Sequence, residues 1–107
     1  RIMKAVEASR RAQPSSLERT AHAILDALSI DYESNVRIGR YVVDVLIQSR
    51  MLIIECDGTY WHSRPGCAER DAKRDEYLVD RGYRVVRIGE SEFKANRANL
   101  RIAEALG

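Results

Sequence analysis

The stretch YVVDVLIQSRMLIIECD, Tyr41 to Asp57, decides the fold. It holds two runs rich in β-branched residues, Tyr41 to Ile47 and Met51 to Asp57, separated by a short polar turn at Gln48 to Arg50. Such runs read as the two strands of a hairpin. A turn centred between Ser49 and Arg50 sets Asp44 opposite Glu55, and opposite residues of an antiparallel ladder point to one side of the sheet. Alternation then adds Asp57 to that side and sends Val43, Val45, Leu52 and Ile54 to the other. A slip of one residue would put the apolar set on the wrong face, so the pattern resists it.

Working outward, YESNVRI (Tyr32 to Ile38) has strand composition and is broken from Tyr41 by Gly39-Arg40, which makes a three-strand meander. Upstream, Ser15 stands three residues before Glu18 in capping-box spacing, and Leu17, Ala21, Ile24, Leu25 and Leu28 follow at helical intervals. Downstream, GCAERDAKRDEYLVDRG reads as a helix with apolar positions Ala68, Ala72, Leu78 and Val79, stopped by Gly82. YRVVRIG is a fourth strand, expected to be central, and NRANLRIAEALG a closing helix. The opening RIMKAVEASRRA is helix-forming and ends ahead of Pro14. The expected order is α-α-β-β-β-α-β-α: an α/β (α+β) mixed sheet of about four strands flanked by helices. Residues 1–14 are expected to form an N-terminal helical arm and 15–107 a single domain.

At 107 residues the chain has room for one core. Hydrophobic residues make up 45% and charged residues 32%, and no apolar run approaches the roughly 18–20 residues a membrane span needs. No membrane partner is expected. The net charge of +2 fits general solubility and equally a basic face inside a nearly balanced total. Lysine occurs only at Lys4, Lys73 and Lys94, so the basic residues are mostly arginine, which suits phosphate contacts and would also follow from a GC-rich genome. Cys56 and Cys67 are too few for a disulfide scaffold, which points to a reducing, cytoplasmic setting. A start at Arg1 suggests a piece of a longer protein.

The chemistry gathers at the end of the hairpin. Carboxylates packed together at an apolar strand end are costly unless a cation or a shared proton relieves them. Each of Asp44, Glu55 and Asp57 alone also fits a solvated strand end. The three together fit a Mg²⁺ site, because that ion commonly takes one or two carboxylates, keeps waters and bridges a phosphate. His62 follows on a loop beyond Gly58, either as a general acid or base near neutral pH or as a surface histidine beside Trp61. Glu18 has a capping-box position that explains it without catalysis. His22, one helical turn on, reads as a helix-surface partner of Glu18.

These residues resemble the PD-(D/E)XK nuclease superfamily, and within it the very short patch repair endonucleases and the EDxHD homing endonuclease catalytic domains. The likeness runs from Leu17 to about Phe93 and rests on Glu18, Asp44, ECDGTYWH (Glu55 to His62) and ERDAKRDEYLVDRGYRVVRIGE (Glu69 to Glu90), in that order. It implies a restriction endonuclease-like fold and a metal-dependent phosphodiesterase acting on double-stranded DNA with Mg²⁺ or Mn²⁺. Asp44 would be the principal metal ligand and the Cys56 carbonyl the second. Glu55 and Asp57 would add carboxylates or hold water, His62 would assist in-line attack, and Glu18 would orient the histidine or a water. The sequence departs from the pattern at Asp57, where the superfamily has lysine and the repair enzymes have histidine. The repair enzymes also lack an acid at the Glu55 position and carry a zinc site that Cys67 alone cannot supply, so no zinc is expected.

Tyr60 and Trp61 match aromatic positions that the repair enzymes push between base pairs, or else form a lid over the core. Arg64, Arg70, Lys73 and Arg74 flank the site and read as phosphate contacts, or as helix-surface partners of Asp71 and Asp75. The reading is a DNA endonuclease or nickase domain of repair, homing or defence type, with target choice left to a further domain or a second copy. Its rivals are a catalytically silent nucleic-acid-binding module of the same fold and a small hydrolase for another phosphoester.

Overall fold

The structure, a computed structural model, describes residues 16–57 and 66–107. The N-terminal arm, Ser15 and the loop bearing Tyr60, Trp61, His62 and Arg64 lie outside the described residues. Helix α1 is Ser16–Ala27, followed by β1 (Glu33–Ile38), β2 (Tyr41–Ile47), a 3-10 turn (Gln48–Arg50) and β3 (Leu52–Asp57). Then come α2 (Cys67–Asp80), β4 (Arg84–Gly89), the short α3 (Glu90–Lys94) and α4 (Ala98–Leu106). The sequence pattern does not mark α3 as a separate element. None of the described helices is long and apolar enough to cross a membrane.

The four strands form one mixed sheet in the order β1-β2-β3-β4. The hairpin has the register expected from its turn, with Val45 opposite Ile54 and Ile47 opposite Leu52. The turn itself closes through Met51, which adopts a left-handed conformation and donates its N–H to the Gln48 carbonyl. Among the described residues β4 is an edge strand, not a central one, because it pairs there with β3 alone, in parallel, with Glu55 opposite Arg87. That parallel pairing needs a crossover, which α2 provides.

Two apolar clusters cover the two faces. Helix α1 contributes Ala21 and Leu25 to the larger one, against Val45, Ile47, Leu52, Ile54, Ile88, and Phe93, Ala98 and Ile102 from α3 and α4. Leu28 is left 47% exposed, because α1 has ended; Ser29 turns left-handed and Ile30 donates to the Leu25 carbonyl and packs on the cluster in its place. The smaller cluster joins Leu78 of α2 to Ile38, Val43, Leu46 and Ile53.

Val43 is therefore on the α2 face and not beside Val45. Strict alternation cannot put Val43 with Leu46 and Val45 with Ile47, so the strand changes its facing between Val43 and Val45. The cause lies across the ladder. Asn35 of β1 is left-handed, with φ 53°, a conformation an asparagine side chain tolerates. The pairing runs Ser34–Val45 and then Val36–Val43, leaving Asn35 and Asp44 unpaired. A kink of this kind re-aims one side chain, and here it is Asp44.

Helix α2 differs from its apolar reading too. Val79 is 56% exposed and Ala68 and Ala72 are exposed, while Asp71, Arg74, Asp75 and Leu78 turn to the sheet at helical spacing. Its inner stripe is polar for three positions before it becomes apolar. Gly82 ends it as expected, left-handed at φ 97°.

Candidate active site

Pairing between β2 and β3 stops at Val45–Ile54, although β3 continues to Asp57 and β2 begins at Tyr41. In the open end sits Asp44, whose Oδ2 accepts the Cys56 N–H at 2.8 Å. That contact fixes the carboxyl next to the part of β3 that carries the Cys56 carbonyl. From α1, Glu18 reaches the same place, where its carboxyl and that of Asp44 are hydrogen-bonded to one another. Burial and the Asp44 charge push Glu18 up to about 7. Asp44 is itself pushed up by burial, against the pull of the Cys56 N–H and of Arg74. Two acids whose protonation states are set by each other share one proton or one cation.

Glu55 is buried at 3% exposure, on the sheet face that meets α2. Arg74 Nη2 donates to Glu55 Oε2 at 2.8 Å and to the Val42 carbonyl at 2.6 Å. Burial and the Asp44 charge push the Glu55 carboxyl up, and Arg74 and Arg87 oppose them. The close contact with Arg74 offsets part of the cost of placing this carboxyl inside the sheet. Asp57 lies further along the same face, 3.2 Å from Arg87 Nη1. Arg87 also forms a two-pronged contact with Asp75, Nη2 to Oδ1 at 2.6 Å and Nε to Oδ2 at 3.2 Å, and lies 3.8 Å from Asp71. Asp71 and Asp75 thus pair with β4 across the interface, not with Arg70, Lys73 or Arg74 along the helix.

The structure brings Glu18, Asp44 and the Cys56 backbone to one point, and turns Glu55 and Asp57 to arginines. Among the described residues no group of three or more His, Cys, Asp or Glu side chains is arranged to hold a metal ion. A backbone carbonyl and one or two carboxylates do not need such a group. Arg70 and Lys73 are exposed at the start of α2, where with Gly66, Glu69 and Ala72 they line a shallow depression of about 460 Å³. Arg74 points inward. His22 is no surface partner: it stacks on Tyr32 at 5.0 Å between ring centroids, and its Nε2 is buried without a hydrogen-bond partner. Burial lowers its pKa.

Arg87 lies among the acids at the site and is not singled out by the sequence pattern. Its signal is nonetheless present, since an arginine inside the apolar run YRVVRIG needs anions on its face. The parallel register that supplies them is not written in a turn.

A comparison with functionally curated proteins found no match. Among solved structures the chain is similar to the homing endonuclease I-Bth0305I catalytic domain, with 26% sequence identity over 85% of this chain and 93% of that one and a TM-score of 0.72. The model of the restriction endonuclease family REase_MTES_1575 matches residues 17–105, a span that contains Glu18, Asp44, Glu55 and Arg87. The chain therefore belongs to that restriction endonuclease family and carries a nuclease fold of the PD-(D/E)XK type.

Proposed function

We propose that this domain hydrolyses phosphodiester bonds of double-stranded DNA, as an endonuclease or nickase that depends on Mg²⁺ or Mn²⁺. The observation that carries the reading is the meeting of the Glu18 and Asp44 carboxyls at the open end of the sheet, beside the Cys56 backbone. Their raised proton affinities mark a place that favours a cation. The donor set, carboxylates with a backbone carbonyl, is hard oxygen and suits Mg²⁺. Asp44 and the Cys56 carbonyl would hold the ion, with Glu18 completing the acidic side and Glu55 the nearest further carboxylate. A divalent cation bound there supplies positive charge to the scissile phosphate.

The protein's own groups do the rest. The Cys56 N–H keeps the Asp44 carboxyl aimed at one point. Glu18, pushed up to about 7 by burial and the Asp44 charge, would ionise more readily beside a bound cation. His62 supplies acid–base chemistry from the loop. Arg70 and Lys73, exposed at the start of α2, and Arg64, with Tyr60 and Trp61, contact the DNA. Target choice then comes from a further domain or a second copy.

The pairing of Glu55 and Asp57 with arginines favours a second reading, a silent nucleic-acid-binding module that keeps the fold. Titration with Mg²⁺ and Mn²⁺ followed by incubation with supercoiled plasmid separates the two. Metal binding with nicking is the expected result; absence of both overturns the nuclease reading in favour of the silent module.

A further inference from the structure

Beyond Val45 and Ile54, where pairing has stopped, two side chains of the described residues join β2 and β3. One is Asp44, on the Cys56 N–H. The other comes from α2: the single nitrogen Nη2 of Arg74 donates both to the Val42 carbonyl and to the Glu55 carboxylate. It ties a backbone point two residues before Asp44 to a side chain one residue before Cys56. The guanidinium is packed near the Tyr41 ring, 5.9 Å from its centroid, and the Tyr77 ring meets Tyr41 edge-on at 5.2 Å. Its Nε–H is buried without a partner. Both of these hydrogen bonds of the guanidinium run inward, to β2 and β3, and its side chain is 22% exposed.

We infer that Arg74 is a positioning residue for the cleavage reaction, a clasp that fixes the spacing between the strand ends bearing Asp44 and Cys56 and makes no contact with DNA. The inference rests on the nuclease reading for its kinetic part alone. Lysine at this position keeps a donor that can reach a carbonyl and a carboxylate, whereas methionine keeps only the bulk.

The test compares Arg74→Met and Arg74→Lys with the parent 107-residue chain by two measurements. In metal-free buffer, amide hydrogen exchange should show the Cys56 N–H losing protection by about tenfold in Arg74→Met, the scale of one charge-assisted hydrogen bond, with Val45 and Ile54 unchanged. On plasmid DNA, kcat should fall by about tenfold or more with KM moved by less than about twofold, and Arg74→Lys should recover part of both losses. Unchanged protection at Cys56 overturns the clasp. A raised KM with kcat kept overturns it too, and makes Arg74 a phosphate contact. If the parent chain does not nick DNA, the nuclease reading fails while the exchange measurement still decides the clasp; if Arg74→Met does not fold, Arg74→Lys is read against the parent in both measurements.

Discussion

Glu18 and Asp44 meet carboxyl to carboxyl, one from a helix and one from a kinked strand, with burial raising the proton affinity of each. Two acids in partial burial are destabilising as a doubly charged pair. Their coexistence here is explained by what can replace the shared proton. The kink at Asn35 and Asp44 aims the second carboxyl, and α1 packs on the same face to deliver the first.

Asp44→Asn removes the charge and keeps the shape. The Cys56 N–H still finds an oxygen, and Glu18 loses a like-charged neighbour. The variant is expected to melt at or slightly above the parent's temperature in metal-free buffer. Mn²⁺ binding followed by calorimetry should be lost, and plasmid nicking should fall by about a hundredfold or more, the scale of losing cation charge stabilisation. Normal nicking by this variant would remove Asp44 from the site.

The same pair sets a pH dependence with a definite sign. A carboxyl that ionises near 4.5 in the unfolded chain and at about 7 when folded leaves the native state with more bound protons between those values. Stability is therefore greatest below about 4.5 on this account and is lost as pH rises through about 7. Asp44 and Glu55, also pushed up, add in the same direction. Thermal melts of the metal-free protein should fall from about pH 5 to about pH 8 on this account, and Glu18→Gln should flatten the slope. Mg²⁺ should raise the melting temperature at the upper end of that range far more than at the lower. If Glu18→Gln leaves both the slope and the nicking rate unchanged and only lowers stability, Glu18 is a helix cap and nothing more.

The hairpin was legible because its turn and apolar runs fix the register, and that register alone sets Asp44 across from Glu55. What the runs could not tell was that Asp44 and Glu55 would take different partners. That depends on Asn35, an ordinary strand-edge residue in the sequence, adopting a left-handed conformation two strands from Glu55. On α2 the alanines and Val79 drew attention to the wrong side. Burial there is decided by charge pairing with β3 and β4, and a parallel pairing made through a helical crossover leaves no local signal.

Gly39 holds the β1–β2 turn against α2. Its φ is 62°, and a Cβ added there would lie 1.9 Å from the Tyr77 hydroxyl and 2.6 Å from the ring carbon bearing it. Gly39→Ala therefore meets both backbone strain and a clash, and is expected to cost about 2–3 kcal/mol. Denaturant melts of Gly39→Ala, Tyr77→Ala and the double variant check this. The clash part should vanish without the ring, so the double variant should be more stable than the sum of single effects implies. Strict additivity would mean that the ring moves aside freely.

Arg87 joins three carboxylates, Asp57 on β3 and Asp71 and Asp75 on α2, to the edge strand. Its side chain is 21% exposed, so solvent screens the group only in part. Against the pull of burial, hydrogen bonds to Asp75 and the charge of Asp57 hold its proton more firmly than in free arginine, so the group stays charged at any working pH. Arg87→Met leaves three acids facing one another, and the loss should be about 2–4 kcal/mol, near the lower part of the range for breaking a buried pair. The penalty comes from the abandoned carboxylates, and so Arg87→Met with Asp75→Leu should be more stable than Arg87→Met alone. Guanidinium melts at about pH 7 measure both. If Arg87→Met with Asp75→Leu is no more stable than Arg87→Met alone, the arginine acts through packing and not through its charge.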